Sequence, residues 1–69
     1  MKIGNIELEE NHIGHSVIYV PHHAWRGQSP NCSHPDAERG HIKRWNDTFV
    51  FVTYQGNTKA TPPELLVWG

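Results

Sequence analysis

Residues 46–56 read Asn-Asp-Thr-Phe-Val-Phe-Val-Thr-Tyr-Gln-Gly. β-Branched and aromatic side chains fit a pleated, half-buried surface, and here they stand between an Asn-Asp turn and a glycine. The predicted strand is apolar on both faces, because its two phenylalanines alternate with Val50, Val52 and Tyr54. In so short a chain, such a strand either lies at the centre of a sheet or presents one face to a partner.

The length of 69 residues indicates one small domain spanning residues 1–69, and its core is expected to be small because only 36% of the residues are apolar. The single cysteine, Cys32, excludes an intrachain disulfide and predicts a reducing, cytoplasmic location. No apolar run after Met1 is long enough for a signal peptide or a membrane span, so no membrane association is expected.

The net charge of −1 argues against a polybasic nucleic-acid binder, because the long-range field that attracts phosphates is absent overall. The charges are unevenly distributed, with Arg39, Lys43 and Arg44 close together in mid-chain. Nucleic-acid binding through these cations, His41 and Trp45 is therefore the alternative to protein binding.

The remaining segments predict an all-β protein of short strands and turns, with no stretch long enough for a packed α-helix. The first half is expected to contain an edge strand (2–8), a turn or 3₁₀ turn (9–14), a strand (15–20) and a long loop (21–38). The second half is expected to contain a strand (40–45), the strand within 46–56, a turn at Gly56-Asn57, a 3₁₀ turn from Thr61 and a short final strand. Ile6 and Leu8 are expected on one face of the edge strand, and Pro21 ends the second strand.

This order of about five strands resembles the SH3-like small barrels. The resemblance is carried by the patterns Gly14-x-x-Val17-x-Tyr19, Gly40-x-Ile42, Val50-x-Val52-x-Tyr54 and Pro63-x-x-Leu66. It implies a long loop after the first core strand and a 3₁₀ turn before the last strand.

A narrower resemblance is to a group of small uncharacterised phage and prophage proteins, over about residues 14–68. It is carried by Tyr19-Val20-Pro21-x-His23-Ala24, His34-Pro35-Asp36-x-Glu38-x-Gly40 and Val50-Phe51-Val52. It implies no established activity.

The pairing of the two mid-chain strands decides which aromatic side chains are exposed. A three-residue loop (45–47) pairs Ile42 with Val50, and it places Phe49 and Phe51 on the outer side with His41. A two-residue loop pairs Ile42 with Phe51 instead. We favour the first register, because it gives a uniformly aliphatic interior.

In the favoured register two interpretations of the outer phenylalanines are open. Either the long loop covers them through Trp25, or they form an exposed patch of the kind that marks an interaction surface. The expected binding surface has nine members, namely His23, Trp25, His34, Asp36, His41, Lys43, Trp45, Phe49 and Phe51. A protein is the expected partner, and a second copy of the chain is the alternative occupant of the aromatic face.

The histidines and the cysteine of the long loop raise a zinc hypothesis, with His22, His23, Cys32 and His34 as candidate ligands. Their spacing contains no Cys-x-x-Cys clip, so the favoured interpretation is a polar turn with no metal and no cofactor. Neither Cys32 nor His23 with Asp36 and Glu38 forms a recognisable catalytic set, so a non-enzymatic binding module is expected.

Overall fold

The computed structural model describes all 69 residues and contains only strands, 3₁₀ turns and loops. The nine strands are β1 (Lys2–Ile3), β2 (Ile6–Glu7), β3 (Ser16–Tyr19), β4 (Trp25–Arg26), β5 (Ser29–Pro30), β6 (Glu38–Trp45), β7 (Val50–Tyr54), β8 (Asn57–Thr61) and β9 (Leu66–Trp68). The 3₁₀ turns are Glu10–His12, His22–Ala24 and Pro63–Leu65. The predicted all-β class is confirmed. No helix of the structure has the length and apolar character needed to cross a membrane.

The main sheet has five antiparallel strands in the order β8-β7-β6-β3-β9. The long loop joins β3 to β6, and the last 3₁₀ turn leads directly into β9, as predicted. Within the loop, β4 and β5 form a small separate hairpin. Strands β8 and β9 are the two edges of the sheet.

The N-terminal segment differs from the predicted edge strand, because it forms its own hairpin of β1 and β2. Gly4 turns the chain with a φ of +60°, a conformation that glycine adopts without steric cost. The turn buries Ile3 and Leu8 and leaves Ile6 47% exposed, so the prediction that Ile6 and Leu8 share a face is wrong.

Strand β8 was not predicted, because its sequence Asn-Thr-Lys-Ala-Thr has no apolar alternation. It pairs with β7 through a two-residue turn at Gln55 and Gly56, not at Gly56-Asn57. Both turn residues have positive φ, 48° and 88°, as in the type I′ turns that match the twist of a hairpin.

The predicted register of the β6–β7 hairpin is wrong, although its inner and outer faces are right. Ile42 pairs with Val52 and Trp45 with Val50, so the connecting loop comprises residues 46–49. A β-bulge between Ile42 and Arg44 adds one residue to β6, and this extra residue places Ile42 opposite Val52 on the inner face.

The inner face of the sheet forms the core with the N-terminal hairpin. The buried cluster comprises Ile3, Leu8, Val17, Ile42, Val50, Val52, Tyr54 and Leu66. Met1, Tyr19, Trp45 and Trp68 pack against its margin. Gly40 also lies on this face, and the close approach of Val52 and Thr53 leaves no room for a side chain there.

Candidate functional site

The side of β6 and β7 opposite the core carries three of the nine predicted binding residues. We call this surface the outer face, and it comprises Arg39, His41, Lys43, Arg44 and Phe51. Burial alternates along β7 and along β6 from Arg39 to Lys43, so these side chains point away from Ile42 and Val52, and the bulge places Arg44 on the same side. The pairing of His41 with Ser16 on β3 and Thr53 on β7 places the surface at the middle of the sheet.

The bulge in β6 explains why two successive cations lie on one side. Ile42 and Trp45 both point towards the core, so the extra residue leaves Lys43 and Arg44 exposed between them. Arg44 lies opposite Phe51, and its guanidinium carbon stands 4.2 Å from the centre of the ring. This is the geometry of a cation–π interaction.

The outer face is electrostatically one-sided, because all of its ionisable side chains are cations or histidine. The ion pairs of the structure join Met1 to Glu7, and His23 and His34 to Asp36, so none involves an outer-face cation. Arg39 donates a hydrogen bond to Ser16 Oγ over 2.9 Å. The face is therefore a local positive surface on a chain whose net charge is −1.

Phe49 borders the outer face from the connecting loop and is 37% exposed. Asn46 holds this loop, because its side-chain oxygen accepts 2.8 Å hydrogen bonds from the backbone N–H groups of Thr48 and Phe49. An asparagine that caps local N–H groups in this way is typical of a tight turn. Phe49 is thus displayed on an ordered loop.

Both tryptophans of the predicted surface have other roles. Trp45 packs against the core cluster at the end of β6. Trp25 donates its Nε1–H to the carbonyl of Val20 over 2.8 Å, and its ring lines a groove with Pro63 and Leu66. Trp25 therefore lies beside the last 3₁₀ turn, which differs from the interpretation in which it covers the two phenylalanines.

The remaining predicted residues, His23, His34 and Asp36, meet in the long loop, and we call them the loop cluster. His23 Nε2 lies 3.0 Å from Asp36 Oδ2, and His34 Nδ1 lies 3.9 Å from the same oxygen. The two imidazole rings are 5.1 Å apart between centroids. The structure thus divides the nine predicted residues into the outer face with Phe49, the loop cluster, and two tryptophans turned towards packing roles.

Of the candidate zinc ligands, the structure brings only His23 and His34 together, and Asp36 joins them. His22 and Cys32 are exposed and lie outside this group. Sequence reasoning missed Asp36 as a ligand candidate. The signal was the His34-Pro35-Asp36 turn, which places the Asp36 carboxylate near the His34 ring.

Arg44 is the outer-face residue that sequence reasoning left out of the protein-binding surface. A regular hairpin with the predicted register pairs Arg44 with Thr48, at the end of the ladder. The bulge instead places it over Phe51. No sequence signal marks the bulge, because Lys43 and Arg44 are both compatible with an exposed strand position.

Two ionisable groups outside these surfaces have shifted pKa values. Burial raises the pKa of the Tyr54 phenol above its usual value, although a hydrogen bond to Thr61 opposes the shift. The N-terminal ammonium, 2.7 Å from the Glu7 carboxylate, lowers the pKa of Glu7. Tyr54 lies within the sheet and Glu7 in the N-terminal hairpin.

Comparison of the chain with protein-family models, curated proteins and solved structures finds no match.

Proposed function

We propose that this protein is a non-enzymatic binding module that engages an acidic segment of a protein partner through its outer face. The observation that carries the proposal is the stacked pair of Arg44 and Phe51 within a group of unpaired cations. Arginine and aromatic side chains are the residue types most enriched at protein interfaces.

The chemistry of the outer face favours a partner with carboxylates. The guanidinium of Arg44 presents several donors in a plane, which suits bidentate binding of a carboxylate. Because Phe51 already positions that plane, less side-chain entropy is lost on binding than for a free arginine. Phe49 supplies exposed apolar area at the border of the same surface.

A nucleic-acid partner is the second candidate, favoured by the four basic side chains along one strand, Arg39, His41, Lys43 and Arg44. Single strands are bound by combining such cations with aromatic rings on which bases stack. Trp45, the ring that sequence reasoning offered for stacking, packs on the core, and Arg44 already covers Phe51. Protein binding is therefore the favoured function.

The finer assignment is also a proposal. The strand order, the long β3–β6 connection and the 3₁₀ turn before β9 support an SH3-like small barrel. On the sequence resemblance, we propose a cytoplasmic accessory protein of phage or prophage type.

Quantitative affinity capture from a host-cell lysate tests the function, using wild type, Arg44→Glu and the matched control Arg26→Glu. Arg26 is exposed on β4, so both variants carry the same change in net charge. We expect a captured protein that Arg26→Glu retains and Arg44→Glu loses, and that binds wild type directly after purification. Capture that both variants lose equally, or that neither loses, would contradict the outer face as the binding surface.

The alternative partners are tested with the same variants. Oligonucleotide binding that weakens steeply with salt and disappears in Arg44→Glu would favour the nucleic-acid function, because counterion release drives such binding. A wild-type dimer in sedimentation that Phe49→Ser dissociates would identify a second copy of the chain as the occupant.

A further inference from the structure

The loop cluster joins residues that are distant in the sequence, because His23 and Asp36 are separated by thirteen positions. The β4–β5 hairpin folds the chain back between them, and the Asn31 N–H donates to the Ala24 carbonyl over 3.0 Å. His23 lies in the 3₁₀ turn that precedes this hairpin, and Asp36 lies in the turns that follow it.

The second half of the cluster is held by successive backbone turns. The His34 N–H donates to the Asn31 carbonyl over 3.1 Å, and the Ala37 N–H donates to the His34 carbonyl over 3.0 Å. The Asn31 side chain also accepts from the Ser33 N–H. His34 and Asp36 are therefore fixed on the same turn before any ligand binds, which reduces the entropy lost on binding.

The three side chains offer one ligand atom each, and these atoms all lie within 4.8 Å of one another. Tetrahedral zinc ligands at about 2.0–2.1 Å from the ion stand about 3.3 Å from each other. The 3.0 Å and 3.9 Å distances from Asp36 Oδ2 bracket that value. Small rotations of exposed side chains would close the remaining separation.

We propose that His23, His34 and Asp36 bind a divalent transition-metal ion of the Zn²⁺ class. Two imidazoles and a carboxylate are ligands that zinc accepts, and three protein ligands leave a coordination position open. An open groove of about 500 Å³ lies beside both histidines, lined also by Ala24, Arg26, Ser29, Pro30 and Asn31. Water reaches the ion from this groove.

Binding replaces two existing hydrogen bonds, which defines the competing interpretation. His34 Nδ1 accepts a 3.0 Å bond from the Asp36 N–H, and His23 donates to the Asp36 carboxylate. Both pairs are exposed, so the freed Asp36 N–H returns to water. Without metal the cluster is a hydrogen-bonded polar turn, and the experiment below separates the two.

The exposure of the cluster predicts an exchangeable ion. His23 and Asp36 side chains are each 62% exposed, and only His34 is largely covered. No core residue depends on the cluster, so chelation is expected to leave the fold intact. This expected survival of the fold distinguishes the loop cluster from the structural zinc sites of small domains, which unfold when the zinc is removed.

Zinc titration of the untagged, chelator-treated full chain by isothermal calorimetry tests the proposal. We expect saturable one-to-one binding, with affinity reduced at least about tenfold in His23→Ala and in Asp36→Asn. His22→Ala is the matched control, because His22 neighbours His23 on the same turn but lies outside the cluster. No saturable binding by wild type, or equal loss in His22→Ala, would overturn the proposal.

Cobalt substitution identifies the ligands independently of affinity. We expect visible absorption of a nitrogen- and oxygen-ligated Co²⁺ ion that is unchanged in Cys32→Ser and lost in His34→Ala. A thiolate charge-transfer band that Cys32→Ser removes would assign the ion to Cys32, which is exposed and free, and refute the loop cluster as the site.

Discussion

Substitution of Gly40 by alanine tests the packing between the sheet strands. An added Cβ would meet Val52 Cγ1 at 2.6 Å, the Thr53 carbonyl oxygen at 2.7 Å and Tyr54 Cδ1 at 2.9 Å. Val52 can rotate, but the carbonyl belongs to the neighbouring strand and can move only with the ladder. We therefore expect a cost near the upper end of the overpacking range, about 2–3 kcal/mol.

For a domain of this size, about 1 kcal/mol lowers the melting temperature by about 4–8 °C. Gly40→Ala should therefore melt roughly 10–20 °C below wild type, as followed by circular dichroism. His41→Ala is the adjacent control, because His41 is exposed on the outer face and should change stability by less than about 0.5 kcal/mol. A Gly40→Ala protein as stable as His41→Ala would refute the close approach of β6 and β7.

The double variant Gly40→Ala/Val52→Ala tests whether the cost arises from the Val52 contact. Val52→Ala alone removes two buried methyl groups, at about 0.8 kcal/mol each plus a cavity cost. In the double variant the new methyl group occupies space that Val52 vacates. We expect the double variant to lose less stability than the sum of the two single variants.

Asn46→Ala should destabilise the protein by about 1 kcal/mol, because the N–H groups of Thr48 and Phe49 lose their side-chain acceptor. Urea unfolding measures the loss, and an unchanged midpoint would contradict the role of Asn46 in holding the turn. For Tyr54, burial raises the pKa in the folded state, so the folded protein holds the phenol proton more tightly than the unfolded chain. Its contribution to stability is complete below about pH 10 and is lost as the pH rises through the folded-state pKa. Tyr54→Phe should show a smaller alkaline loss of stability than wild type, and an identical loss would exclude Tyr54 as its source.

The sequence sufficed to predict the all-β class and the faces of the two central strands. Alternation of apolar residues determines which side of a strand is buried, so Ile42, Val50 and Val52 were correctly predicted to share the inner face. The predicted pairing was wrong because the connecting loop comprises residues 46–49 instead of 45–47, and because the bulge at Lys43, which no local pattern marks, shifts the register by one residue.

Strand β8 and the N-terminal hairpin show the second limit of sequence reasoning. An edge strand such as β8 has one pairing neighbour, and only Thr61 of its five residues is buried, so it needs little apolar sequence. The first hairpin is decided by Gly4, whose positive φ turns a segment that reads as one strand.

The candidate sites were predictable as residue types but not as constellations. The contact of Arg44 with Phe51 follows from the bulge, and the loop cluster follows from a hairpin between His23 and Asp36. Both contacts depend on how the hairpins bring distant parts of the chain together. Local sequence patterns do not encode which distant residues come into contact.

The most direct test of the proposed function is the dissociation constant of the captured partner for Arg44→Glu and for Arg26→Glu, measured by calorimetry. The two variants have the same net charge, so a difference between them reports the place of the charge and not its amount. The outer-face proposal predicts that Arg44→Glu binds at least about tenfold more weakly than Arg26→Glu, a loss of about 1.4 kcal/mol or more. Equal dissociation constants for the two variants would contradict it.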